Sequence, residues 1–62
     1  MLRRVILENK RTGEKIVKEN IGNIQRIKND KGDYYYELRK KAGMKTHYSF
    51  NPEWEIISKQ LM

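Results

Sequence analysis

Apolar and basic side chains alternate in three short runs between residues 26 and 50, and a period of two marks strands whose faces differ. Ile24 to Asn29, Asp33 to Lys40 and Met44 to Phe50 therefore read as strands three to five of the chain. Two strands precede them. Leu2 to Lys10 and Lys15 to Glu19 form a hairpin across Arg11-Thr12-Gly13, where Gly13 takes a positive φ without a Cβ clash. Val5, Ile6 and Leu7 are consecutive and face Ile16 and Val17, so both faces of this hairpin have apolar content and it should curl over the rest of the sheet. Ile21, Ile24 and Ile27 then recur every third residue, which reads as one helical or 3₁₀ turn leading into strand three.

Register follows from the need to keep apolar residues on one face, because a slip of one residue sends every side chain to the other side. A three-residue loop, Lys41-Ala42-Gly43, pairs Lys40 with Met44, so that Leu38 opposes Thr46, Tyr36 opposes Tyr48 and Tyr34 opposes Phe50. An even-numbered loop before strand four adds Ile27. The expected core face is Ile27, Tyr34, Tyr36, Leu38, Tyr48 and Phe50. The expected outer face is Arg26, Lys28, Tyr35, Glu37, Arg39, Lys45, His47 and Ser49, with Arg39 directly opposite Lys45.

After Phe50 the pattern changes. Asn51 suits a helix N-cap and Pro52 the first helical position, while Glu53 and Glu55 fall where the positive end of the helix dipole favours them. Trp54, Ile57 and Leu61 follow as a narrow apolar stripe. The β-branched residues after Trp54 leave a strand as the alternative for this segment. The expected fold is thus α+β: one domain over 1–62, a small antiparallel sheet of about five short strands closed by helix 52–61. An SH3-like small β-barrel is the alternative.

Charge sharpens the functional reading. Residues 1–25 carry six bases against three acids, residues 26–50 seven against three, and residues 51–62 one against two, so the net +6 comes entirely from the strands. A positive field raises the encounter rate with polyanions and makes binding sensitive to salt. A small protein kept soluble by lysine has the same totals, and charge alone leaves both readings open.

Catalytic chemistry finds little footing. Cys is absent and His47 is the single histidine, which excludes thiolate nucleophiles and multi-histidine metal sites. The glycines are scattered among separate turns, without the cluster that cradles phosphates. The chain reads as a non-enzyme with no cofactor. The longest apolar run, Val5-Ile6-Leu7, is far short of the roughly 20 residues that span a bilayer, and the N-terminus lacks a secretory pattern, so the expectation is a cytoplasmic protein with no membrane partner.

The run from Lys31 to Arg39, the Gly-containing turn, Lys45 to Phe50, and a segment with Trp54, Ile57 and Leu61 resemble the N-terminal arm-site DNA-binding domains of tyrosine integrases. That resemblance implies a three-stranded sheet laid in the DNA major groove and a C-terminal helix behind it. The order of hairpin, three-stranded sheet and helix also looks like the small chromatin proteins of thermoacidophilic archaea, although Lys28 stands about where that family has its exposed tryptophan. The expected function is non-catalytic binding of nucleic acid, duplex DNA in the first place, through Arg26, Lys28, Tyr35, Arg39, Lys45 and His47. The competing class is a protein-interaction module, such as a mobile-element factor docking on a host protein through sheet edges and exposed aromatics.

Overall fold

Three asparagines punctuate the chain, and each opens a reversal between two strands. The structure, a computed structural model, describes residues 2–40 and 47–62. Its strands are β1 (Arg3–Asn9), β2 (Lys15–Ile21), β3 (Asn23–Lys28), β4 (Tyr34–Arg39), β5 (His47–Phe50) and β6 (Trp54–Leu61). At the end of β1 the Asn9 Oδ1 accepts the backbone N–H groups of Arg11 at 2.9 Å and Thr12 at 3.1 Å, while its carbonyl accepts Gly13 N at 2.7 Å. After β3 the Asn29 Oδ1 accepts from Lys31 N at 2.9 Å and Asp33 N at 3.0 Å, and its carbonyl from Gly32 N at 3.0 Å. Gly13 (φ 79°) and Gly32 (φ 87°) supply the left-handed residue that closes each turn.

The third asparagine corrects the sequence reading. Asn51 Oδ1 accepts the N–H of Glu53 at 3.0 Å and the Asn51 carbonyl that of Trp54 at 3.2 Å. This is the local bonding of a cap, but the chain leaves it as a strand. Among the described residues the protein is all-β, with no C-terminal helix. In β6 Trp54 and Ile56 are half-buried toward the core while Glu55 and Ile57 are exposed, a period of two that the Trp54, Ile57, Leu61 stripe concealed and that a bulge interrupts after Ile57. Tertiary pairing decides the outcome. β6 runs antiparallel along β1 from Asn9 opposite Trp54 to Arg3 opposite Leu61, satisfying an edge that a helix would have left open.

Among the described residues the strands form two three-stranded sheets, β2-β1-β6 (sheet A) and β3-β4-β5 (sheet B), in place of one sheet of about five strands. Gly22 is the hinge between them. No helical turn separates β2 from β3: the strand bends at Gly22, whose N–H bonds to the Arg39 carbonyl at 2.9 Å, and enters the second sheet. A Cβ at Gly22 would stand 2.7 Å from the Lys40 carbonyl oxygen, so the corner has room only for hydrogen.

The core lies between the sheets. Val5, Leu7, Ile21 and Leu38 are fully buried, Phe50 nearly so, and Ile16, Ile24, Tyr48, Trp54 and Ile56 pack around them. Phe50 meets Trp54 edge-on with ring centroids 5.9 Å apart. The expected core is correct for Leu38, Tyr48 and Phe50 and wrong for Ile27 and for Tyr34, which keeps the expected face but is exposed beyond the end of the core. β3 pairs with β4 as Ile24 to Leu38, Arg26 to Tyr36 and Lys28 to Tyr34, which sends Ile27 to the other face beside Tyr35. The cause is the Asp30-Lys31-Gly32 loop: three residues with glycine at the left-handed position, not an even number. Between β4 and β5 the observed partners are Tyr36 with Phe50 and Leu38 with Tyr48, two residues from the expected register, so faces are kept while neighbours change. The Lys41-Ala42-Gly43 loop lies outside the described residues.

Glu53 ties the ends of the two outer turns together. Its carboxylate accepts from Asn9 Nδ2 at 3.3 Å and Arg11 Nε at 3.0 Å, and its backbone carbonyl accepts Lys10 N at 2.8 Å. Those two side-chain bonds, with the Arg11 charge, hold the Glu53 carboxyl below the usual carboxylate range. A depressed carboxyl pKa contributes stability that is present above its unfolded value and is lost as pH falls through the folded one. Glu53→Gln is therefore expected to flatten the acid limb of a melting-temperature profile between neutral pH and about pH 3. Parallel profiles for the two proteins would contradict this role.

Candidate nucleic-acid interface

The register that places Leu38 in the core also determines where the bases go. On the inner face of sheet B, the face that bears the core, the positions are Ile24, Arg26 and Lys28 on β3, Tyr34, Tyr36 and Leu38 on β4 continuing to Lys40, and Tyr48 and Phe50 on β5. Arg26, Lys28 and Lys40 occur there with no acid. On the outer face lie Gln25, Ile27, Tyr35, Glu37, Arg39, His47 and Ser49.

The six residues singled out from sequence are thus not one patch. Arg26 and Lys28 are on the inner face, Tyr35, Arg39 and His47 on the outer, and Lys45 lies outside the described residues. Arg39 pairs with His47 across the strands and not with Lys45, and Glu37 stands opposite Ser49. The Arg39 guanidinium approaches the Glu37 carboxylate at 3.9 Å, so its charge is partly answered on its own face.

A different grouping emerges around two tyrosines. The Arg26 guanidinium carbon sits 3.9 Å from the Tyr34 ring centroid, and Lys28 Nζ lies 6.0 Å from the same ring. Lys18 Nζ, reaching across from β2, stands 4.3 Å from the Tyr48 ring centroid, and Lys40 Nζ 5.9 Å. The ion pairs among the described residues are Arg4 with Glu19, Arg11 with Glu53, Lys15 with Glu8 and Arg39 with Glu37. None involves these four bases. A ring face orients a cation without neutralising it, so Arg26 and Lys18 are positioned by their rings and all four bases keep their charge for an incoming anion.

Exposure separates the two clusters. Tyr34 is 47% exposed and Arg26 and Lys28 are exposed with it, because the β3–β4 hairpin end is not covered by sheet A. Tyr48 is half-buried and packs against the core, so Lys18 and Lys40 lie at the rim of the inter-sheet core. Lys18, Tyr34, Lys40 and Tyr48 were not candidates from sequence. The signal that finds Tyr34 is the odd loop ending at Gly32, which turns Arg26 and Lys28 toward it. Lys18 over Tyr48 joins the two sheets and leaves no local trace.

No family model, curated protein or solved structure matches the chain. Among the described residues no cluster of three His, Asp or Glu side chains forms a metal site. No helix in the described residues is long and apolar enough to cross a membrane.

Proposed function

We propose that the protein is a non-catalytic nucleic-acid-binding module that takes duplex DNA through Arg26, Lys28 and Lys40 of sheet B and Lys18, which reaches across from β2. The supporting observation is that Arg26 and Lys18 lie against tyrosine rings at 3.9 and 4.3 Å, Lys28 and Lys40 stand beside the same rings at 6.0 and 5.9 Å, and among the described residues none of the four meets a carboxylate. Arg26 already covers the face of Tyr34 at 3.9 Å, so phosphate contact is favoured over stacking of a base on that face. Tyr34 and Tyr48 are displaced by four positions along β4, since Tyr48 stands opposite Leu38. At ~3.3 Å per residue this puts the clusters about 13 Å apart, a span of roughly four base pairs.

Fluorescence titrations of random duplex and single-stranded oligonucleotides over a salt series test the reading. Four phosphate contacts give a log–log slope of about −3.6 on duplex and a shallower one on single strands. Duplex binding weaker than about 100 µM at low salt would remove the proposal, since non-specific contacts ordinarily reach 10⁻⁴–10⁻⁶ M. The competing reading, a protein-interaction module, draws on a separate surface, the outer face of sheet A with its exposed Val17 and Ile57.

A further inference from the structure

The outer face of sheet A repeats one motif on adjacent strands: an apolar residue with opposite charges two positions to either side. On β1 the sequence is Arg4, Ile6, Glu8, and on β2 it is Lys15, Val17, Glu19. Antiparallel pairing sets Ile6 beside Val17, Glu8 beside Lys15, and Ile6 beside Ser58 of β6, where a bulge inserts Ile57. An apolar row, Val17, Ile6 and Ile57, therefore crosses the sheet, with Val17 54% and Ile57 45% exposed. One flank carries Lys15, Glu8 and Glu55, the other Glu19, Arg4 and Gln60. Within the chain the flanks are tied by Lys15 to Glu8 at 3.3 Å and Arg4 to Glu19 at 2.8 Å.

We propose that two copies of the protein associate face to face through this surface, about a two-fold axis that runs across the strands along the apolar row. That rotation lays each flank over the opposite flank of the second copy. Glu8 then faces Arg4 of the second copy, Lys15 faces its Glu19, and Glu55 faces its Gln60, while Val17 and Ile6 each meet their own counterpart. An axis along β1 instead sets Glu8 on Glu8 and Arg4 on Arg4, which repel. The charge pattern thus selects one of the two ways a sheet face can pack on itself. Glu8 and Glu55 stand directly opposite each other across β1 and β6, a like-charge pair that Lys15 offsets on one side within the chain and Arg4 of the second copy offsets across the axis.

The flat edges of sheet A are unsuited to joining copies by strand addition. β2 carries a bulge where Asn20 takes φ 61°, and β6 carries the one at Ile57, so both edges are twisted away from further pairing. The contact is small. Three strands at ~4.8 Å spacing by five residues at ~3.4 Å fall well short of the roughly 800 Å² per partner of a standard interface, so the association is weak and concentration-dependent.

The proposal is independent of nucleic acid and is tested without it, by sedimentation equilibrium over rising protein concentration. Wild type is expected to dimerise, and Val17→Asp, a change at an exposed position, to stay monomeric with an unchanged circular dichroism spectrum. Reversing one flank by Arg4→Glu with Glu19→Lys keeps the internal ion pair but sets like charges across the axis; Glu8→Lys with Lys15→Glu does the same from the other flank. Each double variant is expected to be monomeric alone, and an equimolar mixture of the two to dimerise, because the cross-axis pairs among positions 4, 8, 15 and 19 are then all again of opposite sign. Wild type that remains a monomer overturns the proposal, as does a mixture that fails to associate. If either double variant does not fold, dimerisation of Val17→Asp at the wild-type level overturns it.

Discussion

Gly22→Ala is expected to lower the melting temperature by roughly 10–20 °C, the largest effect of any single methyl group in this protein, at ~4–8 °C per kcal/mol for a domain of this size. The added Cβ would stand 2.7 Å from the Lys40 carbonyl oxygen and 3.6 Å from its carbon, backbone atoms that do not rotate away. Overpacking of this kind costs about 1–3 kcal/mol. Relief requires the β4 terminus to move, and that movement strains the Gly22 to Arg39 hydrogen bond at 2.9 Å, worth about another 1 kcal/mol. A chain of 62 residues has little to spare, since a single core of this size is only marginally stable. Gly13→Ala is the control. Nothing lies within 4 Å of a Cβ there, so only the strain of φ 79° remains, on the order of 1 kcal/mol. Thermal melts of the two variants measure the difference, and equal losses would mean that the corner at Gly22 is not crowded.

The hairpins are legible in the sequence because their chemistry is local. Asn9 with Gly13, and Asn29 with Gly32, provide the side-chain acceptor and the left-handed residue within five positions of each other. Strands one to four accordingly begin and end close to where turn chemistry puts them. β6 is not legible in this way, for a physical reason. A capping asparagine, proline and a glutamate satisfy the first N–H groups of a helix and of a β-turn equally well, and the choice is made by β1, some 45 positions away in the chain, which needs a partner along its second edge. The candidate site failed at a still smaller point. Whether Arg26 and Lys28 share a face with Tyr34 or with Tyr35 turns on the parity of one loop, and an even count exchanged the two faces of β3 relative to β4. The β4–β5 register slipped by two, which preserves parity, so Tyr35, Arg39 and His47 do share a face as expected while Arg39 gains His47 as its cross-strand neighbour.

That correction changes which bases should matter for binding. Arg26→Ala with Lys28→Ala is expected to lower the magnitude of the duplex salt slope by about 2 and, at ~50 mM salt, to weaken binding by roughly 100-fold, because each lost phosphate contact removes about 0.9 of a logarithmic unit per decade of salt. The fold should tolerate the pair. Both side chains are exposed, neither forms an ion pair among the described residues, and the stacking lost from Tyr34 is worth only about 0.5–1 kcal/mol at an exposed site. Arg39→Ala provides the comparison on the opposite face, where Glu37 at 3.9 Å already offsets the charge and the inner-face contacts are untouched, so its slope should equal that of wild type instead of falling by the ~0.9 of one lost contact. Tyr34→Leu separates charge from placement: all four cations remain, so the slope holds, but Arg26 loses the ring that fixes it and affinity falls by a few-fold. Should Arg39→Ala lower the slope by ~0.9 while the Arg26 and Lys28 pair leaves it unchanged, the outer face carries the binding and the inner-face cations do not.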